Sequence, residues 1–174
     1  EAFNARSGGT LPETAIGIGL NTGVCCVGNL GASQRFDYSV IGDDVNIASR
    51  LESQTKTYGL PILVGPRTAE QARPAGYLFA LVDKVKVKGK TEAIDVFGLI
   101  GGPNHPPSHQ LEMTAKGIDI LAEAAQDGDV ERMKAALDAI GHPEPCVLDT
   151  VVAMYRRRYE RLTRTGIDDI AATD

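Results

Sequence analysis

The chain has 174 residues, 43% of them apolar and 24% charged, and carries a formal net charge of −5. That is enough for one compact domain with a real core, and the acidic balance argues against non-specific nucleic-acid binding, which rests on phosphate neutralisation. No apolar run approaches the roughly 18 residues that a membrane span needs, and the polar first residues hold no secretory apolar stretch. The chain begins with Glu1 rather than Met and reads as a piece of something longer. Its three cysteines are Cys25, Cys26 and Cys146. Adjacent residues on a strand face opposite ways, which argues against a metal pair or a mutual disulfide at Cys25 and Cys26. They are expected as small buried residues in a reducing, cytoplasmic setting.

In chain order, residues 1–14 read as a loop or linker, with Ser7-Gly8-Gly9 and Pro12. Residues 15–20 and 24–27 are apolar runs, and Asn21-Thr22-Gly23 between them predicts a hairpin turn. Gly28-Asn29-Leu30-Gly31-Ala32-Ser33 reads as a second turn. Residues 36–41 form a short aromatic and β-branched strand that ends at Gly42. Asp43 opens a helix, which Asp43 or Asp44 can cap, and Val45, Ile47, Ala48, Leu51 and Tyr58 keep helical spacing. Gly59 closes it and Pro61 blocks its continuation. Residues 62–64 are predicted as a strand and 66–72 as a short helix with proline in its first turn. Residues 77–87 and 93–100 follow as two strands joined by the charged turn Lys88-Gly89-Lys90-Thr91-Glu92.

Composition shifts at Gly101. The segment Gly101-Gly102-Pro103-Asn104-His105-Pro106-Pro107 reads as a linker and the best domain boundary. It divides the chain into residues 15–100, a linker at 101–109 and a tail at 110–174. In the tail, residues 111–125, 130–140 and 147–162 have helical spacing. Helix pairs of this kind suggest a tetratricopeptide-like hairpin, although the repeat is too degenerate to define a period. Arg156, Arg157, Arg158, Arg161 and Arg164 form a basic face, suited to solvent or to an acidic protein or lipid surface.

The stretch from Gln34 to Glu52 carries the chemistry. It delivers an aromatic and polar strand end into a tight glycine turn and then a helix. Asn46 and Arg50 are four apart and so share a helix face. A directed amide donor beside a fixed guanidinium charge makes an oxyanion and phosphate clamp. On spacing alone, such a pair is more often plain surface. Elsewhere, Gly17-x-Gly19 lacks the third glycine and following helix of a dinucleotide fingerprint. His105 and His109 cannot share a helix across Pro106 and Pro107, which argues against a metal site there.

Val45-Asn46-Ile47-Ala48-Ser49-Arg50 resembles the helical signature of class III adenylyl and guanylyl cyclases, Val-Asn-x-Ala-Ser-Arg. Three further segments resemble the same family in the same order. Ile16-Gly17-Ile18-Gly19-Leu20-Asn21-Thr22-Gly23 is similar to the preceding strand, Val27-Gly28-Asn29-Leu30-Gly31 to the turn after it, and Val87-Lys88-Gly89-Lys90 to the late triphosphate-binding turn. The resemblance covers about residues 13–100 and is nearest to bacterial cyclases with upstream sensor domains. It implies an α/β (α+β) fold, the carboxy-terminal half of a ferredoxin-like nucleotidyl cyclase core with an α-helical tail. It also implies a parent enzyme that converts ATP to cyclic AMP and pyrophosphate at a homodimer interface. By position, Asn46 and Arg50 would stabilise the transition state as the ribose 3′-hydroxyl attacks the α-phosphate. Lys88 would bind the triphosphate. Ser39, seven positions before Asn46, would select the base. Adenylyl cyclases usually carry Asp or Thr there, and guanylyl cyclases more often Cys or a similar small residue. A serine hydroxyl can still accept from the adenine amino group, which favours ATP.

The family binds two Mg or Mn ions through two Asp residues in its first half, one on the first strand and one on a Gly-Asp hairpin. Neither motif occurs before Ile16. Asp37, Asp43 and Asp44 are not substitutes, since the last two stand at a helix start. The expectation is a fragment that binds no metal and is inactive alone. It is expected in the cytoplasm, with a parent attached to a membrane through an upstream sensor region. Two readings stay open: a guanylyl cyclase, and a non-catalytic regulatory module whose helical tail engages a protein partner.

Overall fold

A computed structural model describes residues 15–32, 35–86, 93–141 and 145–165. The central sheet holds β1 (Ile18–Leu20), β4 (Ile62–Val64), β6 (Ala93–Gly101) and β5 (Leu78–Lys86), in that spatial order. β1 and β4 are parallel, with Ile18 opposite Ile62, while β6 runs antiparallel to both β4 and β5. A parallel neighbour cannot be reached by a tight turn. The connection from β1 to β4 contains a separate antiparallel ribbon, β2 (Cys26–Ala32) with β3 (Arg35–Ile41), and then helix α1 (Asp43–Tyr58).

This corrects three sequence expectations. No hairpin forms across Asn21-Thr22-Gly23, because β1 pairs with β4 and β2 pairs with β3. Asn21 and Val24 instead direct their polar groups to Asp44. The glycines at 28 and 31 do not make a turn either: they lie within β2, in unbroken register from Cys26 opposite Ile41 to Ala32 opposite Arg35. Cys25 and Cys26 are exposed rather than buried, since they stand at the start of a ribbon that lies outside the central sheet.

Helix α1 seats one face on the sheet through Ile47, Leu51, Thr55 and Tyr58, all buried. It lies so close to β1 that a Cβ on Gly19 would overlap the backbone of Ala48 and Glu52. The glycine of that strand serves close approach of helix and strand. Gly59 ends the helix in the left-handed conformation, φ 67°, as expected. Side-chain capping by Asp43 or Asp44 does not occur. The N-cap is Gly42, and both carboxylates stand in the first turn, where their charge suits the helix dipole. Helix α2 (Pro66–Ala72) packs Ala69 against Val64 and Phe79 in a second, smaller cluster.

Beyond β6 the backbones of Gly102 and His105 bridge one another. The chain then enters α3 (His109–Asp127), α4 (Val130–Ile140) and α5 (Asp149–Thr165). Ser108 caps α3 by accepting from the Leu111 N–H, and Asp129 caps α4 by accepting from the Arg132 N–H. These helices share one core with the sheet. Ile118, Leu121, Met133 and Tyr155 are buried in the same cluster as Leu51, Leu63 and Val82. Because the tail packs onto the sheet rather than only on its own helices, the tetratricopeptide comparison finds no support. The basic face on α5 is partly turned inward, with Arg156 donating to the Gly141 carbonyl and Arg158 to Asp83. Among the described residues, no helix is long and apolar enough to cross a membrane.

Candidate active site

The site is built where β3 runs through Gly42 into α1. The Gly42 carbonyl accepts from the Val45 and Asn46 N–H groups, each at 3.1 Å. The Asp44 carboxylate accepts the Val24 N–H at 3.0 Å and the Asn21 side-chain amide at 3.2 Å. The same amide also donates to the Asp44 carbonyl at 3.0 Å. The hydroxyls of Thr22 and Thr68 meet at 2.9 Å. The segment after β1 is thereby tied both to the first turn of α1 and to α2. Sequence reasoning missed this latch. Asn21 signals only a turn and Asp44 only a cap, and the partners are 23 positions apart.

The buried stripe of α1 faces the sheet, so its other side faces solvent. Asn46 and Arg50 are both exposed there. They lie one turn apart, about 6 Å along the axis at 1.5 Å per residue. Among the described residues, no hydrogen bond or ion pair holds either side chain. Ser39 is half-buried on β3, opposite Gly28 of β2. The structure thus brings Asn46 and Arg50 together on one face and sets Ser39 on the strand that leads into that helix. Lys88, with the rest of residues 87–92, lies outside the described residues.

The far end of α1 is held by a buried polar cluster that the sequence did not announce. Asp83 of β5 is only 6% exposed. Its carboxylate accepts the Tyr58 hydroxyl at 2.8 Å and both terminal nitrogens of Arg158, at 2.8 and 2.6 Å. A buried carboxylate needs such a paired, bidentate partner. Burial first, and Asp83 next, push the Tyr58 phenol well above the usual tyrosine range, so it stays a donor.

The described residues do not fit a pair of divalent cations. Among the described residues, no three His, Cys, Asp or Glu side chains are grouped to hold a metal ion. Asp44, the carboxylate nearest Asn46 in sequence, is already committed to Val24 and Asn21.

The sequence pattern of the adenylate and guanylate cyclase catalytic domain matches residues 6–101, more than half of the chain. The chain belongs to this family. The match ends at Gly101, the last residue of β6, and takes in the whole strand–turn–helix unit that carries Ser39, Asn46 and Arg50. The adenylate cyclase of Anabaena cylindrica is 44% identical to this cyclase domain over 89 residues, which is 50% of this chain and 18% of the relative. Adenylate cyclase 1 of Rhizobium meliloti is 37% identical over 102 residues, 58% of this chain and 15% of the relative. The chain therefore spans less than a fifth of these curated relatives. An uncharacterised protein of Mycobacterium tuberculosis is 32% identical over 127 residues, 72% of this chain and 21% of its own length. A share of that size runs past Gly101 wherever it begins, so this likeness takes in part of the tail. The crystal structure of the adenylyl cyclase CyaB from P. aeruginosa matches with a TM-score of 0.50 and 30% identity, covering 60% of this chain and 52% of that one. The mixed α and β architecture expected from the resemblance is the one observed.

Proposed function

We propose that this chain is the part of an adenylyl cyclase that supplies the transition-state groups for making cyclic AMP and pyrophosphate from ATP. The observation that carries the reading is the solvent face of α1. It presents Asn46 and Arg50 side by side, from a helix whose other face is buried, within the segment that matches the cyclase family. In the reaction, the ribose 3′-oxygen forms a bond to the α-phosphorus as the α–β phosphoanhydride bond breaks. The hydroxyl proton leaves to solvent and pyrophosphate departs. Negative charge grows on the α-phosphoryl oxygens and the leaving group, where Arg50 supplies fixed positive charge and Asn46 a directed donor. Lys88 holds the triphosphate, and the Ser39 hydroxyl accepts from the adenine amino group. The names of the Anabaena and Rhizobium relatives support ATP over GTP as substrate. The divalent ions fall to carboxylates outside the described residues, carried by the partner at a homodimer interface.

The test is steady-state kinetics in the complete enzyme. Asn46→Ala or Arg50→Ala should each lower kcat by about ten-fold or more, the effect of losing one donor to transition-state charge, with much less change in KM. The 174-residue chain alone should make no cyclic AMP with Mg or Mn. Full kcat in either variant, or turnover by the isolated chain, would overturn the reading.

A further inference from the structure

Three consecutive residues of β5 are completed by the tail. The β5–β6 ladder shifts register between Leu81 and Asp83, which leaves Val82 without a partner on β6. The Leu81 N–H donates to the Asp119 carboxylate of α3 at 2.6 Å. The Val82 carbonyl accepts the Tyr155 hydroxyl of α5 at 3.0 Å. Asp83 takes the Arg158 guanidinium of α5 through two bonds. Val82 and Tyr155 are fully buried, so with the tail in place these bonds, and not water, satisfy the polar groups.

The third of these contacts reaches α1. Asp83 holds Arg158 with both carboxylate oxygens and the Tyr58 hydroxyl with one of them. The Arg158 guanidinium also lies over the Tyr155 ring, 5.2 Å from its centroid. The next residue, Gly59, abuts α5 as well: a Cβ there would meet the Thr150 hydroxyl oxygen at 2.6 Å. Tyr58 lies eight residues beyond Arg50, about 12 Å along the same helix at 1.5 Å per residue. A helix is stiff over that length. Each residue advances about 100° around its axis, so fixing the rotation at Tyr58 also sets the direction in which Asn46 and Arg50 project.

We propose that Arg158 of the tail, acting through Asp83 and Tyr58, is a positioning residue for the helix that presents Asn46 and Arg50. The helical tail is then a built-in brace of the catalytic helix rather than a separate module. The catalytic half of this inference rests on the function proposed above, whereas the mechanical half does not.

The experiment uses Tyr58→Phe, which removes the hydroxyl and keeps the buried ring. Arg158→Lys serves as the conservative partner, retaining charge and losing the bidentate fork. In the 174-residue chain, hydrogen exchange of the amides at 46–50 is compared with that at 118–124 in α3. Tyr58→Phe should speed exchange at 46–50 by roughly ten-fold, the scale of one lost hydrogen bond to a charged group, and leave 118–124 unchanged. Arg158→Lys should give a smaller rise at the same amides. In the complete enzyme, Tyr58→Phe should lower kcat by roughly three-fold or more and leave KM within about two-fold, as expected when bound substrate meets misaligned groups. Faster exchange confined to the last turn of α1, or spread equally over α1 and α3, overturns the positioning link. So does altered exchange at 46–50 with kcat intact, provided that Arg50→Ala lowers kcat in the same assay. If Arg50→Ala leaves kcat intact, the role of Arg50 fails, and the exchange data alone judge the brace.

Discussion

The sheet is finished in two different ways. Under α1 and the tail, Leu63, Val82, Ile118 and Leu121 are fully buried in one cluster drawn from sheet and helices alike. Around β1 and the β2–β3 ribbon, Ile16 is 72% exposed, Val24 82% and Tyr38 77%. Both regions are rich in apolar side chains in sequence. The first finds its partner within the chain, because α3, α4 and α5 fold back over it. The second finds no further strand among the described residues, where β1 pairs only with β4 and the ribbon only with itself. An exposed apolar cluster beside a strand edge is a surface for another chain. The contrast separates what the described chain covers for itself from what it leaves open.

The contrast breaks first, and with the largest effect, under matched truncations. Leu121→Ala empties a site with no solvent exposure. It should lower the unfolding free energy by about 2–5 kcal/mol. Val24→Ala removes an exposed side chain and should stay within about 0.5 kcal/mol. Urea unfolding of both variants makes the comparison. Equal losses would mean that the surface around Val24 is buried in solution.

A second experiment sharpens the ribbon's half of the contrast. The chain should self-associate through its exposed apolar residues, and light scattering over a concentration series reads this directly. Val24→Asp with Val27→Asp places two carboxylates on that surface and should weaken association by about ten-fold or more, since an unpaired charge is costly to desolvate. A strictly monomeric mass at every concentration would show that the surface needs no second copy.

Much of this was legible in the sequence, and the failures share a cause. Helix α1 could be read from the spacing of Ile47, Leu51 and Tyr58 and from the stop at Gly59, all local signals. The short β4 and α2, and the tail helices, were legible for the same reason. Strand pairing was not. A turn such as Asn21-Thr22-Gly23 looks alike whether it closes a hairpin or opens a crossover, and what decides is Asp44, over 20 positions on. The site divides in the same way. Asn46 and Arg50 sit on one helix face by periodicity alone. Asp83 reads as a stray carboxylate in an apolar strand, because its partners Tyr58 and Arg158 are 25 and 75 positions away.

The smallest expected effect tests the seam between sheet and tail. Asp119 of α3 accepts the Leu81 N–H at 2.6 Å, where the β5–β6 ladder breaks register. Burial raises its pKa above the usual carboxylate value. The Leu81 N–H and then Arg73 oppose that shift, and Glu123 adds to it. A group whose folded pKa lies above its unfolded one takes up its proton first in the native state as pH falls. Its contribution therefore grows as pH falls through the raised value, is complete below the unfolded value, and is lost as pH rises again through the folded value. Asp119→Asn keeps a carbonyl oxygen that can accept from Leu81 and removes the titration. The stability of the wild type relative to this variant should increase as pH falls through that window and hold steady above it. Val24→Ala, remote from the seam, should keep the pH dependence of the wild type. Urea unfolding at a series of pH values decides it. If Asp119→Asn and the wild type run parallel throughout, the carboxylate at the seam does not titrate there, and it joins sheet and tail simply as a hydrogen-bond acceptor.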